Sequence, residues 1–164
     1  VNCRPGDNLM VHKALEIAKG GDVVVITTNG NTTSAVFGEL MCNSAVAARL
    51  GGIVVDGAIR DVSELTALSF PAFSRSVNPG GCDKDGPGEI NVPIACGSTV
   101  VMPGDIVLGD EDGVTVVRRD VAEEVADLVE ALQAREAARI EAIAGGEIFK
   151  AQIDESLRAK GIME

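Results

Sequence analysis

Two short runs of β-branched residues, Val23-Val24-Val25-Ile26 and Ile53-Val54-Val55, set the strongest limit on what this chain can fold into. Each is apolar throughout and only a few residues long, which predicts buried strands. Between them Leu40, Met41, Ala45 and Ala48 recur at helical spacing over 38–50, closed by Gly51-Gly52. Ahead of the first run, Val11, Leu15 and Ile17 mark a helix over 8–19 that stops at Gly20-Gly21. Helix and strand alternate, so the chain belongs among the α/β folds. Beyond the second run, Asp56-Gly57 reads as a turn. Asp61-Val62-Ser63-Glu64 reads as a capping box for a short helix to Leu68, and Pro71-Ala72-Phe73 begins another extended piece.

From about Asn78 the texture changes to short strands punctuated by Gly and Pro: 89–94, 98–102, 106–108 and 114–118. Gly21-Asp22-Val23-Val24 is echoed by Gly104-Asp105-Ile106-Val107, a weak hint of two similar strand starts facing each other. Asp120 with Glu123 predicts the cap of a long helix with the stripe Val121, Val125, Leu128 and Leu132, ended by Gly145-Gly146. The remaining segment, 147–164, is amphipathic through Ile148, Phe149, Ile153 and Leu157, and such a tail is expected to dock, for example on a neighbouring subunit.

At 164 residues, one domain over 1–164 is the expectation. A formal net charge of −11 with scattered Lys and Arg opposes a phosphate backbone, so nucleic acid is not an expected partner. No apolar run reaches the roughly 18–20 residues that span a bilayer, and Val1-Asn2-Cys3-Arg4-Pro5 lacks the apolar core of a secretory signal, so a cytoplasmic protein without a membrane partner is expected. Cys3, Cys42, Cys82 and Cys96 form no CxxC pair and are expected to be reduced thiols. Val1 is not a Met, and the first segment reads as if entered midway.

His12 is the only histidine, which excludes a multi-histidine zinc site and leaves a triad only that one residue to use; among Val11, Leu15 and Ile17 it reads as structural. No GxxxxGK[ST] or strand-linked GxGxxG occurs. Polar residues gather instead where predicted strands give way to helices, where α/β sheets place their ligands. Gly38-Glu39-Leu40-Met41 opens one helix, whose free amides suit a carboxylate. Arg60-Asp61 opens another. Glu39 and Asp61 can be simple helix-start acids and Arg60 a surface cation. As a set, two carboxylates without a soft ligand suit Mg²⁺ or Mn²⁺, which can chelate the adjacent carboxylate and carbonyl oxygens of a 2-oxo acid. An Arg beside them would stabilise a developing enolate.

At these residues the chain resembles the class II pyruvate aldolases of the 4-hydroxy-4-methyl-2-oxoglutarate aldolase type, which share a fold with the regulator of ribonuclease activity A. The pattern is an acid, twenty intervening residues and Arg-Asp, here Glu39, Leu40 to Ile59, Arg60-Asp61. Further matching stretches are 54–61, Gly88-Glu89-Ile90-Asn91-Val92-Pro93-Ile94, Pro103-Gly104-Asp105-Ile106-Val107 and Asp110-Glu111-Asp112-Gly113-Val114. The resemblance implies an α/β/β/α sandwich of the swivelling phosphohistidine-domain type. It implies that Asp61 ligates the metal, Glu39 orients metal-bound water, Arg60 contacts the 2-oxo oxygen, and the turn at Gly38 with the amides of Leu40 and Met41 receives the substrate carboxylate. The first acid is often Asp, so Glu39 reaches one methylene further. The family's helical N-terminal segment has no counterpart here.

The resemblance further implies homotrimers or hexamers with a neighbour's carboxylate completing each site, for which Glu136 and Glu141 are candidates beside their reading as solvated helix charges. The expected activity is cleavage of 4-hydroxy-2-oxo acids to pyruvate, with decarboxylation of oxaloacetate at the same site. The alternative is a non-catalytic protein that binds and inhibits ribonuclease E, whose basic segments a negative surface would suit. A Schiff-base aldolase lacks a lysine on an apolar strand, and the family's older methyltransferase label finds no cofactor loop.

Overall fold

The computed structural model describes residues 1–163, and the chain divides into two compact units, residues 1–119 and the part from Asp120 on. The first unit is built on a six-stranded mixed sheet. Its strands are β1 (Asn2–Cys3), β2 (Val23–Thr27), β3 (Ala35–Phe37), β4 (Gly52–Ile59), β5 (Ala72–Val77) and β6 (Gly88–Glu89). β4 is central. It runs parallel to β2 along Gly52–Asp56, parallel to β3 at Ala58 and Ile59, and parallel to β5 from Ile53 to Ile59. β1 lies parallel to β2, and only β6, at the edge, is antiparallel.

The two-residue period sends alternate side chains of both apolar runs to opposite faces, and β4 is buried on both, whereas in β2 Val23 and Val25 are half-buried. Val24, Ile26, Ile53 and Val55 point into one cluster with Val11 and Leu15 of α1 (Leu9–Ile17), Met41 and Cys42 of α2 (Glu39–Ala47) and Leu65 of α3 (Val62–Ala67). Val25 and Val54 face the other way, over a small cavity of about 170 Å³. Two hairpins close it: β7 (Ile94–Cys96) with β8 (Thr99–Val101), and β9 (Ile106–Asp110) with β10 (Gly113–Val117). The observed class is therefore mixed α/β, with helices on one face of the main sheet and β-hairpins on the other.

Three local expectations are corrected. Asp56-Gly57 is not a turn but the middle of an eight-residue strand. Asp56 is buried there, accepting from Arg75 Nε at 2.6 Å and from the Gly97 amide at 3.0 Å, and a Cβ on Gly57 would overlap Thr28 Oγ1. A close backbone approach, not a turn, is what that glycine serves. The strand expected over 89–94 stops at Glu89, because Asn91 turns the chain with φ of 56° before β7 begins. The long helix α4 (Ala122–Ala144) starts from Val121 after a short 3-10 turn, with no side-chain cap hydrogen bond.

The second unit contains α4 and α5 (Ala151–Ala159). α4 buries none of its residues, and Leu128, Leu132, Ile140 and Ile143 are exposed, as are Phe149 and Ile153 beyond it. Arg139 joins the end of α4 to the next segment through Glu147 at 3.1 Å and the Ile148 carbonyl at 2.9 Å. No helix among the described residues is long and apolar enough to cross a membrane.

Candidate functional site at the ends of β3 and β4

Parallel pairing brings two distant parts of the sequence to one point. Phe37 pairs with Ile59, so the chain leaves the sheet at Gly38 and at Arg60 side by side, both at carboxyl ends of strands. The Arg60 amide donates to the Phe37 carbonyl at 3.0 Å, which fastens the two exits together. α2 begins at once after the first and α3 after the second.

Asp61 precedes α3 in the left-handed region, with φ 58° and ψ 43°, a conformation that few non-glycine residues adopt. It makes no cap bond to its own helix, so the expected capping box is not formed. Its Oδ2 turns across to α2 and accepts from the Glu39 amide at 3.0 Å. Gly38, in the N-cap position of α2, has no side chain to do this, and Asp61 supplies the cap from the neighbouring strand end. The Arg60 Nε lies 3.4 Å from the same oxygen. Both side chains are over a third exposed, so this pair adds at most about 1 kcal/mol of stability.

Gly38 makes the closeness possible: a Cβ there would stand 2.6 Å from Asp61 Oδ2 and 2.9 Å from Arg60 Cγ. Glu39 is exposed, and its carboxylate has no hydrogen-bond or ion-pair partner among the described residues; the same is true of Asp61 Oδ1. The amides of Leu40 and Met41 follow in the first turn of α2, where helix geometry provides no intrahelical acceptor. The first backbone bond into that end runs from the Cys42 amide to the Gly38 carbonyl at 2.9 Å. Free donors, one guanidinium and two carboxylates with unspent oxygens thus share one exposed sheet edge.

This donor set fits a hard divalent cation, which accepts one or two carboxylates and keeps several waters. It does not fit a metal held by protein alone: no group of three His, Cys, Asp or Glu among the described residues could hold one. Of the residues expected at the site, Gly38, Glu39, Leu40, Met41, Arg60 and Asp61 come together. Glu136 and Glu141 are exposed on α4, in the other unit. His12 is exposed on α1, and every lysine is exposed. Cys3 and Cys42 are buried, and Cys82 and Cys96 half-buried, all as free thiols. Burial pushes the Cys3 thiol up to about 11, which suppresses its reactivity.

A larger cleft lies elsewhere. It holds about 480 Å³ and is lined by backbone and aliphatic groups around Ile17, Gly21, Asp22, Gly104, Asp105 and Ile106. Both echoed Gly-Asp strand starts line it. Its two acids each accept one backbone amide through Oδ2, Asp22 from Lys19 and Asp105 from Met102, and no Arg or Lys among the described residues lines it.

Sequence reasoning missed Asp7, which is 1% exposed. Its oxygens accept from the amides of Leu9 at 2.9 Å, Asp85 at 2.7 Å and Gly86 at 2.9 Å, with Arg4 at 3.3 Å. Burial alone would push its pKa up. The three amides and Arg4 outweigh burial and hold the carboxyl below the usual carboxylate range. The only signal was an acid at a helix start, since its partners lie 78 and 79 positions away.

A family model described as RraA-like, Aldolase/RraA, matches residues 1–116, which fall within the first unit. The chain is 43% identical over 143 residues to a protein of Halalkalibacterium halodurans named "Putative 4-hydroxy-4-methyl-2-oxoglutarate aldolase", covering 87% of this chain and 68% of that one. Among solved structures, an uncharacterized protein from Pseudomonas syringae superposes with a TM-score of 0.81 at 28% identity, over 89% of this chain and 68% of its own. The RNA-processing inhibitor RraA from Thermus thermophilus superposes with a TM-score of 0.66 at 32% identity, over 71% of each chain.

Proposed function

Because this chain belongs to the RraA-like aldolase family, we propose that it is a divalent-metal-dependent lyase that cleaves 4-hydroxy-2-oxo acids, of the 4-hydroxy-4-methyl-2-oxoglutarate type, to pyruvate. One observation carries the reading: Asp61 and Arg60 are fastened to the open start of α2, with a free carboxylate oxygen, a half-exposed guanidinium and two first-turn amides converging. The corresponding architecture is the α/β/β/α sandwich of the swivelling phosphohistidine-domain type, with the hairpins as its second β layer.

The first-turn amides of Leu40 and Met41, at the positive end of α2, take the substrate carboxylate. Arg60 then lies by the 2-oxo oxygen, where negative charge develops. The free Glu39 carboxylate orders the water that removes the 4-hydroxyl proton. As that proton leaves, the C3–C4 bond breaks, the C4 fragment departs as a carbonyl compound, and the electron pair enters the pyruvate enolate. Protonation at C3 releases pyruvate. Oxaloacetate reaches the same enolate by losing CO₂. Mg²⁺ or Mn²⁺, held by Asp61 and through water by Glu39, would supply Lewis acidity toward the 2-oxo oxygen. The reading includes a cytoplasmic homotrimer or hexamer, with Glu136 or Glu141 of a neighbour completing each site.

Pyruvate release from oxaloacetate and from 4-hydroxy-4-methyl-2-oxoglutarate, coupled to lactate dehydrogenase, tests the proposal directly. Release with Mg²⁺ that stops with EDTA is expected. A metal-loaded oligomer that releases none would leave the second reading, a protein that binds ribonuclease E. That reading is favoured by the likeness to RraA and by the net charge of −11, and a pull-down with the ribonuclease checks it.

A further inference from the structure

The loop over residues 80–86 is fixed at both ends by contacts that neither the family pattern nor the lyase chemistry requires. At its start, the Gly80 carbonyl accepts from the Ala35 amide at 2.8 Å, at the entrance of β3, and its amide donates to Asn78 Oδ1 at 2.7 Å. At its far end everything converges on the residues before α1. The Asp83 amide donates to the Gly6 carbonyl at 2.8 Å, and the Asn8 amide to the Asp83 carbonyl at 3.0 Å. Asp7 Oδ2 collects the amides of Asp85 and Gly86, while Arg4 bridges Asp7 and Asp83 at 3.3 and 3.4 Å. Between the two anchors runs Gly81, where an added Cβ would stand 3.8 Å from Arg60 Nη1. The loop is therefore a wall beside the guanidinium. Asn8 ties the same helix start to the other wall, donating to the Val36 carbonyl at 3.2 Å and contacting Met41 Sδ at 3.5 Å.

A buried carboxylate that receives three backbone amides is a strong tether, since no neutral side chain of its shape can present two acceptor oxygens to them. We propose that Asp7 is a positioning residue of the site: it holds the 80–86 loop against Arg60 and so fixes where that guanidinium meets the substrate. The inference rests on the lyase reading of Arg60. Asp7 itself touches no reacting atom.

The test is Asp7→Asn in the full-length, Mg²⁺-loaded protein, with oxaloacetate as substrate, at a temperature where circular dichroism shows the variant folded. The new amide keeps the shape but turns an N–H toward amides that need an acceptor. KM should rise and kcat/KM fall by about tenfold, within the loss of up to about 10²-fold that a small misplacement can cause. Backbone hydrogen exchange should quicken at Asp85 and Gly86. A merely structural role would lower the folded fraction, and hence apparent kcat, while leaving KM alone. If Asp7→Asn does not fold, Arg4→Gln decides the matter at a half-exposed position, with a KM rise of about twofold in support and an unchanged KM against. Wild-type protein that releases no pyruvate overturns the lyase reading and this role together. Wild-type release with an unchanged KM in the folded variant overturns the role of Asp7 alone.

Discussion

The cleft of about 480 Å³ around Gly21 and Gly104 and the open edge at Gly38 and Arg60 are opposites in what they offer. The cleft has volume, backbone and aliphatic walls, and two acids that each hold one backbone amide, but no Arg or Lys among its described lining residues. The edge has little enclosure, but Glu39 and Asp61 keep unspent oxygens, Arg60 is half-exposed, and a helix start faces outward. Concavity alone would select the cleft. Placement of charge selects the edge, because a reaction that builds an enolate needs donors fixed where the charge appears. An edge so open also accords with a site whose remaining wall comes from another chain, as the proposed oligomer requires.

The contrast breaks most sharply at Arg60. Arg60→Ala should lower pyruvate release by about 10²–10³-fold, as loss of an oriented transition-state donor does, with the melting temperature within a degree or two of wild type. Full turnover in that variant would end the assignment of the edge. Gly38→Ala comes next. Its methyl group would stand 2.6 Å from Asp61 Oδ2, so either the carboxylate leaves the Glu39 amide or the α2 start shifts. Overpacking of this kind costs about 1–3 kcal/mol. Thermal melts should show that loss alongside a fall in kcat/KM of tenfold or more. A variant that melts lower yet retains kcat/KM would reduce Gly38 to packing.

Much of this was legible in the sequence because it is local. The runs at Val23 and Ile53 are strands since both faces are covered, and a fully apolar run records that condition in consecutive residues. The meeting of Glu39, Arg60 and Asp61 was legible because each stands where a predicted strand gives way to a helix. What escaped depends on partners distant in sequence. Asp56-Gly57 carries a turn signal, yet β5 pairs alongside and Arg75 claims the carboxylate, so tertiary context overrides the dipeptide. Asp61 satisfies the capping-box spacing, yet its oxygen goes to α2, a choice visible only once β3 lies beside β4. Asp7 was illegible as a tether for the same reason.

Asp7 also gives the comparison a pH dependence. Its folded pKa lies below the ordinary 3.8, so the stability it contributes is complete above that value and is lost as pH falls through the lower folded value. Acid unfolding should therefore steepen below about pH 4, and Asp7→Asn should flatten that part of the profile while lowering stability at neutral pH. A variant with an unchanged acid limb would mean that other carboxylates dominate it.

The smallest effect is expected in the cleft, and it is as informative as the largest. Among the described residues Asp105 accepts one amide, that of Met102, at 2.9 Å and exposed, so Asp105→Asn should cost about 0.5 kcal/mol or less. If the cleft is only space, pyruvate release by that variant stays within twofold of wild type and keeps its dependence on Mg²⁺. A large loss of turnover in a folded Asp105→Asn protein would mean that the cleft communicates with the edge. It would then have to be counted as part of the site, despite having no Arg or Lys among its described lining residues.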